Sequence, residues 1–265
     1  MDNISKVVYD FYKELYTKEL ECWHTQDEFL SNVDKKLSEE EKEILDKDFT
    51  ATELQSAMAD LKKNKSPGCD GLTKEFYDFF WDELCPLYVE CLKEVEDTLS
   101  LTESQKLGLI RISYKKNGRI HIENYRPITL LNVDLKIITR ALAKRMAKVL
   151  PKLINDNQRC IPGRKIGKNM HIVQDLIDKI NSDNGKGAFI FVDQEKAFDR
   201  ISHAFILKTL QAFGFGENFI KWVRIIYADT KSQVKINGFL TPSFSIQRGV
   251  RQGCPFKCPT ICSLL

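Results

Sequence analysis

The spacing of apolar residues changes near residue 106, from the period of a helix to short runs typical of strands. Before this point an amphipathic helix is indicated by apolar side chains three or four positions apart, at Ile4, Val7, Val8, Phe11 and Leu15. After it, short apolar runs alternate with helical segments. We therefore predict an α+β fold, with a helical N-terminal region over residues 1–105 and a region of helices and strands over residues 106–265.

Local signals define the elements within each region. Ser38 and Thr50 are each followed three residues later by Glu, which is the pattern of a capping box at a helix start. Further helices are predicted over residues 74–98, 134–150, 202–213 and 217–227, with Pro151 ending the second of these. Strands are predicted over residues 109–114 and 187–192, and Asn237-Gly238 predicts a hairpin between residues 233–236 and 239–240.

Charge is distributed unevenly, although the formal net charge is only +3. Residues 1–105 contain 26 Asp/Glu and 12 Lys/Arg, whereas residues 106–171 contain 3 Asp/Glu and 16 Lys/Arg. A basic block of this density indicates a polyanionic partner such as nucleic acid. The alternative is a basic face that is matched by the acidic N-terminal region.

Several classes of protein are disfavoured by the composition. No apolar run approaches the ~18–20 residues needed to cross a bilayer, so no membrane partner is expected. The N-terminus lacks the layout of a signal peptide, so the eight cysteines are interpreted as reduced thiols of an intracellular protein without a disulfide-linked partner. Cys254, Cys258 and Cys262 recur every four residues, but three cysteines without a nearby His or a fourth Cys do not make a typical zinc site.

The apolar run at residues 187–192 ends at Asp193, a position suited to a metal ligand. A carboxylate at the end of a buried strand is rigidly placed, although such an Asp is often only a turn former or a helix cap. Phosphatases with an aspartate nucleophile use a similar arrangement, but they need a second Asp two residues later, where this chain has Glu195.

Five further segments, taken in order, resemble the reverse transcriptases of non-LTR (LINE-like) retrotransposons. The segments are Lys65–Gly71 with Glu75–Tyr77, Ile110–Lys116 with Asn124–Asn132, Asn157–Arg164, Phe191–Asp199 and Arg248–Pro255. The resemblance covers about residues 50–255. It implies the fingers and part of the palm of a right-hand polymerase, which joins a primer 3′-hydroxyl to an incoming dNTP on an RNA template.

The resemblance also implies roles for individual residues. Asp193 would be the catalytic carboxylate and would hold Mg²⁺ together with the backbone carbonyl of Gln194, in a family that uses two such ions. Phe198 lies where the family excludes a ribose 2′-hydroxyl, although core packing is the plain alternative. The triphosphate would contact Arg126 and Lys115, and the nucleotide would lie over Gln252 and Gly253. Asp199 is interpreted as structural rather than as a metal ligand.

The basic block would contact the phosphates of the template and the DNA primer. The residues with this expected role are Arg140, Lys144, Arg145, Lys148, Arg159 and Arg164. Among polymerases the nearest rival is a group II intron maturase, which tends to have Arg-Pro-Leu-Gly-Ile-Pro where this chain has Arg126-Pro-Ile-Thr-Leu-Leu.

The sequence departs from the family at its second catalytic carboxylate pair. The aromatic-Ala-Asp-Asp turn expected after the Gln252-Gly253 segment is absent from the chain, and so is the thumb. Tyr227–Thr230 imitates that turn, but it precedes Gln252 and has Thr in place of the second Asp. We therefore expect a catalytically incomplete polymerase fragment with an incomplete antiparallel palm sheet and exposed apolar surface. A non-catalytic RNA-binding remnant or co-opted protein is the alternative.

Overall fold

Twelve helices and one small sheet make up the described part of the chain, which in the computed structural model comprises residues 3–19, 23–115, 118–154, 167–183 and 185–256. The helices are α1 (Asn3–Tyr16), α2 (Trp23–Ser31), α3 (Glu39–Asp46), α4 (Ala51–Ala59), α5 (Lys74–Phe79), α6 (Trp81–Thr98), α7 (Glu103–Lys106), α8 (Val133–Leu153), α9 (Gly167–Ser182), α10 (Ala197–Arg200), α11 (His203–Ala212) and α12 (Glu217–Tyr227). The strands are β1 (Leu107–Tyr114), β2 (Tyr125–Leu130), β3 (Lys231–Ile236), β4 (Phe239–Leu240) and β5 (Phe244–Ser245). Among these helices, none has the combination of length and apolar character that crossing a bilayer requires.

The five strands form one mixed sheet in the order β2-β1-β3-β4, and β5 also pairs with β3. The α+β class is confirmed. The pairs β1–β2, β3–β4 and β3–β5 are antiparallel, whereas β1 and β3 are parallel. The sheet is therefore only partly antiparallel. β2 and helices α8 to α12 separate β1 from β3 along the chain, so no hairpin imposes the antiparallel direction on this pair.

Helix α8 is the centre of the main core. Its side chains Ile137, Ile138, Leu142 and Met146 are completely buried. They pack with buried residues of α3, α4, α6, α11 and α12. Full burial of such a side chain contributes about 1.5–3 kcal/mol, so this single helix anchors much of the fold. The core takes residues from both sides of residue 106, so the helical N-terminal region shares it with the rest of the chain.

Helix α1 packs on the sheet in a second core. Val8 and Tyr12 of α1 lie in one cluster with Ile110 of β1, Val234 of β3 and Phe244 of β5. The strands therefore cover only part of the predicted apolar face: Val8 and Leu15 are buried, whereas Ile4 and Val7 are exposed. This packing holds the C-terminal half of α1 beside the candidate active site.

Local sequence signals are confirmed at one helix start and one turn, and in part at a second helix start, where only one of the two capping-box hydrogen bonds forms. Ser38 and Glu41 form both hydrogen bonds of a capping box at the start of α3. The Thr50 hydroxyl accepts from the backbone of Glu53 at the start of α4. Asn237 and Gly238 have φ values of 48° and 89°, as the two-residue turn between β3 and β4 requires.

Two predicted helix boundaries are wrong. The helix expected over residues 74–98 is divided at Phe80, where a non-helical residue separates α5 from α6 and lets Trp81 turn into the core. Helix α8 continues past Pro151 to Leu153. Leu153 and Ile154 are buried, so packing of the last turn outweighs the loss of the helical hydrogen bond that Pro151, without an N–H, does not donate.

The predicted buried strand at residues 187–192 is also wrong. These residues are neither helix nor strand, and the side chains of Ile190, Phe191 and Val192 are more than four-fifths exposed at 87%, 84% and 89%. An apolar run becomes a strand only where a neighbouring strand pairs with it through backbone hydrogen bonds. No described strand makes such hydrogen bonds with residues 187–192. Apolar surface is therefore exposed directly before Asp193.

Hydrogen exchange is expected to distinguish this segment from the sheet. Backbone amides of residues 189–192 have no hydrogen-bond acceptor among the described residues, so they are expected to exchange near the rate of an unstructured peptide. Amides of β3 lie within the sheet and are expected to be protected. Exchange followed by mass spectrometry measures both, and strong protection throughout residues 187–255 would contradict this prediction.

Candidate active site

A cavity of about 600 Å³ lies between α1, the β1–β2 hairpin and α10. Six of the seven predicted site residues line it, and they come from four separate segments of the sequence: Lys115, Arg126, Asp193, Gln194, Phe198 and Gln252. The seventh, Gly253, does not line the cavity. The tertiary structure thus brings together residues that the sequence analysis grouped only through motifs.

Two cations lie on the hairpin side of the cavity. Arg126 in β2 is opposite Ser113 in β1, and the backbone N–H of Lys115 donates to the Asn124 carbonyl at 2.9 Å. Both basic side chains are therefore at the same end of the hairpin and both are exposed. A guanidinium fork beside an ammonium group is suited to a polyphosphate.

The opposite side of the cavity is formed by the loop that leads into α10. Asp193 and Gln194 are exposed in this loop. The prediction that Asp193 follows a buried strand is therefore wrong. Lys196 precedes α10 in the left-handed conformation, with φ 51°, and its ammonium group lies 4.4 Å from the centre of the Phe11 ring in α1. Phe198 follows in α10 and is half-buried.

Asp199 is the buried acid of the site. Its side chain is 4% exposed and accepts a hydrogen bond from the Tyr16 hydroxyl at 3.1 Å. The Gln252 amide nitrogen lies 2.9 Å from each oxygen of the same carboxylate. These contacts agree with the structural interpretation of Asp199 and identify two partners, Tyr16 and Gln252, that the sequence did not suggest.

Two phenols surround this carboxylate. Burial, and then the charge of Asp199, raise the pKa of the Tyr16 hydroxyl well above its usual value. The same two causes raise the pKa of Tyr12. Both hydroxyls therefore stay protonated at neutral pH, and the one on Tyr16 is available as a donor to Asp199. The Tyr12 hydroxyl is buried without a hydrogen-bond partner among the described residues.

The glycine-containing loop 247–253 is bonded to both sides of the site. The Gly249 N–H donates to the Ile201 carbonyl and the Val250 N–H to the Phe198 carbonyl, each at 2.7 Å. The Thr129 N–H of β2 donates to the Gln252 carbonyl at 2.6 Å. This loop therefore joins the hairpin to α10.

Gly253 has a structural reason to lack a side chain. Its φ is 136°, and a Cβ atom would lie 2.1 Å from the Thr129 carbonyl oxygen. The sequence analysis expected a nucleotide to approach the backbone of Gly253, whereas in the structure the backbone of Thr129 in β2 makes this close approach. A contact of Gly253 with a nucleotide stays a prediction.

The described residues do not form a complete two-metal site. Outside the gaps in the described chain, no group of three or more His, Cys, Asp or Glu side chains is arranged to hold a metal. Asp193 and Gln194 are exposed and line the cavity, whereas Asp199 is engaged by Tyr16 and Gln252. Mg²⁺ is often bound through one or two carboxylates plus substrate phosphates, and this pair suits such an ion.

Two other features of the sequence do not belong to the cavity. Residues 227–230, the imitation of the aromatic-Ala-Asp-Asp turn, contribute no lining residue, and Ala228 borders a separate cavity. Cys254 is a buried cysteine that forms no disulfide with another described cysteine, while Cys258 and Cys262 lie outside the described residues.

The basic face of α8 is paired within the molecule. Arg140 and Lys144 contact Asp60 at 3.1 Å and 3.0 Å, and Arg145 is 7% exposed with its guanidinium bound to Glu53. The expected role of Arg145 in template contact is therefore wrong, because its guanidinium is buried. Arg140 and Lys144 share one carboxylate and stay partly exposed, so their contact with the template stays a prediction. Lys148 is exposed, and the predicted contacts of Arg159 and Arg164 lie outside the described residues.

The sequence analysis missed one wall of the cavity. Phe11, Tyr12 and Leu15 of α1 line it opposite Arg126. The helical periodicity identified Phe11 and Leu15 as an apolar face, but periodicity alone does not say which surface that face covers. The spacing of Tyr12 and Tyr16 was the available signal, because two phenols on a buried helix face need polar partners.

Comparison with known proteins agrees with this geometry. The family described as reverse transcriptase (RNA-dependent DNA polymerase) matches residues 114–265, which is more than half of the chain. That segment contains every predicted site residue.

Similar proteins come from transposable elements. A Xenopus laevis protein named "Transposon TX1 uncharacterized 149 kDa protein" is 40% identical over 83% of this chain and 17% of its own length. The Pol polyprotein from the type-2 retrotransposable element R2DM of Drosophila melanogaster is 31% identical over 51% of this chain and 13% of its own. A Pol polyprotein from the type-1 retrotransposable element R2 of Popillia japonica is 28% identical over 51% and 19%. The chain thus spans less than a fifth of each relative, and it belongs to the reverse transcriptase family, as a domain of the LINE-like, non-LTR kind.

Proposed function

We propose that the cavity between α1 and α10 is the nucleotide site of an RNA-directed DNA polymerase, where a dNTP meets an RNA template and a DNA primer. The convergence of six predicted site residues from four segments carries this proposal. Arg126 and Lys115 bind the triphosphate from the hairpin side. Phe198 contacts the sugar, and the Gln252 side chain contacts the nucleotide from the side of loop 247–253.

Asp193 and the Gln194 carbonyl are the proposed ligands of one Mg²⁺. When bound, this ion would neutralise phosphate charge and orient the phosphates for in-line attack. Because Asp193 is the one proposed carboxylate ligand among the described residues, we expect the chain by itself to bind substrates without extending a primer. The RNA-binding alternative is less favoured than the polymerase site, since it does not account for the six predicted site residues that line one cavity.

Removal of Arg126 is expected to weaken dNTP binding about tenfold or more, because a charge-assisted phosphate contact is typically worth about 1.5–3 kcal/mol. The measurement is the dissociation constant of a complementary dNTP in Mg²⁺, with a chain-terminated primer on an RNA template. Arg111→Ala is the matched control, since Arg111 is an exposed arginine of the neighbouring strand β1 that does not line the cavity. Equal loss in Arg126→Ala and Arg111→Ala would show that the site lies elsewhere.

Primer extension tests the catalytic part of the proposal. The purified chain and Asp193→Asn are compared in Mg²⁺ on an RNA template. We expect no extension by either protein, with the template still bound. Extension that disappears in Asp193→Asn would show that another carboxylate completes the site and that the expectation of an incomplete polymerase is wrong.

A further inference from the structure

Helix α1 lies outside the matched segment 114–265, yet it is bonded directly to the loop that carries Gln252. The carbonyl oxygens of Leu15 and Tyr16 accept hydrogen bonds from the Arg248 guanidinium at 2.8 Å and from the Gln247 N–H at 2.9 Å. The end of α1 and the start of loop 247–253 are therefore held together by two hydrogen bonds through the backbone of α1.

A side-chain connection runs parallel to these backbone contacts. The Tyr16 hydroxyl donates to Asp199, and Asp199 accepts from the amide nitrogen of Gln252. A carboxylate only accepts hydrogen bonds, so the nitrogen of the Gln252 amide must face Asp199. The connection therefore determines which way the Gln252 amide is turned in the cavity.

Burial makes this connection strong. Tyr16 and Asp199 are 1% and 4% exposed, and hydrogen bonds to an ionised group strengthen where water is excluded. The Tyr16 ring is also held by near-parallel contacts with Tyr12 and Phe244, each with ring centres 6.4 Å apart. The hydroxyl can therefore be removed while the packing of the ring is retained.

We propose that Tyr16 is a positioning residue for nucleotide binding: its hydroxyl holds Asp199, which in turn holds the Gln252 side chain in the orientation that receives the dNTP. This inference rests on the proposed nucleotide site. It assigns to α1 a part in the reaction in addition to its part in the sheet core, because the N-terminal helix completes a site that the matched segment contains only in part.

The test is the dissociation constant of a complementary dNTP for Tyr16→Phe, under the conditions used for Arg126→Ala. We expect binding to weaken about tenfold and the chain to stay folded, because the ring contacts of Tyr16 are retained although the buried hydrogen bond to Asp199 is lost. Tyr9→Phe is the matched control on the same helix, since the Tyr9 ring also contacts Phe244 but does not line the nucleotide cavity. Its dissociation constant is expected to equal that of the unchanged chain.

A double-mutant cycle separates positioning from a general structural effect. In a Gln252→Ala background, Tyr16→Phe is expected to cause no further loss of dNTP binding, because the side chain through which Tyr16 acts is gone. Equal losses in both backgrounds, or no loss in Tyr16→Phe alone, would overturn this inference and leave the proposed function standing. An unchanged chain that binds no dNTP would overturn both.

Discussion

Replacement of Arg145 by methionine is expected to lower the free energy of unfolding by about 3 kcal/mol, the largest loss anticipated for a single side chain outside the cavity. The Arg145 guanidinium binds both carboxylate oxygens of Glu53, at 2.7 Å and 2.6 Å. It also donates to the carbonyls of Leu45, Lys47 and Asp48 and lies 4.6 Å from the Phe49 ring.

The size of this effect follows from the partners that the substitution leaves behind. Methionine fills a similar volume but donates no hydrogen bond, so Glu53 and the three carbonyls lose their shared donor. The Glu53 side chain is 24% exposed, so water can replace some of the hydrogen bonds that Arg145 donated to it. The expected loss of stability is therefore at the low end of the values for breaking a buried ion pair. Denaturant unfolding measures the change.

Arg140→Met is the matched control for this prediction. Arg140 lies on the same helix and pairs with Asp60, but its side chain is 38% exposed. An exposed ion pair contributes about 0–1 kcal/mol, so a small change is expected. A loss in Arg140→Met as large as that in Arg145→Met would mean that charge on α8, rather than the buried network, stabilises the helix.

Gly253→Ala is expected to destabilise the chain by about 2–3 kcal/mol and to weaken dNTP binding. The added Cβ would lie 2.1 Å from the Thr129 carbonyl oxygen, and the residue would also have to keep a φ of 136°. Because Thr129 belongs to β2, the contact is with backbone, and relief requires the loop to move away from the strand that carries Arg126.

Gly238→Ala provides the comparison for Gly253→Ala. Gly238 also has positive φ, at 89°, but a Cβ there meets no atom within 4 Å. Its replacement therefore measures conformational strain alone, about 1–2 kcal/mol, and should leave dNTP binding unchanged. Equal effects of the two substitutions on dNTP binding would show that the approach of loop 247–253 to β2 does not shape the cavity.

Contacts of Arg145 and Tyr16 connect the N-terminal helices to the matched segment. Arg145 joins α8 to α3 and α4, and Tyr16 joins α1 to loop 247–253. The acidic N-terminal region thus has two parts in this domain. It forms ion pairs with Arg140, Lys144 and Arg145 of α8, and it supplies one wall of the cavity that we propose as the nucleotide site.

The sequence by itself determined the features that depend on neighbours along the chain. The capping box of Ser38 and Glu41 and the turn at Asn237-Gly238 form as predicted, because each is satisfied within a few residues. The ordered motifs also identified the family and named six of the residues that line the cavity. Each motif is a short run of consecutive residues, so it can be recognised from the sequence without knowledge of the fold.

Only the tertiary structure decided where distant partners meet. The run at residues 187–192 is as apolar as a buried strand, yet it is exposed because no described strand lies beside it. Arg145 lies in the basic block that was expected to contact the template, yet its guanidinium forms a buried ion pair with Glu53. Asp199 acquires Tyr16 and Gln252 as partners through loop closure between segments far apart in the chain. Hydrogen bonds and burial depend on distances in space, and those distances are fixed when the two cores pack.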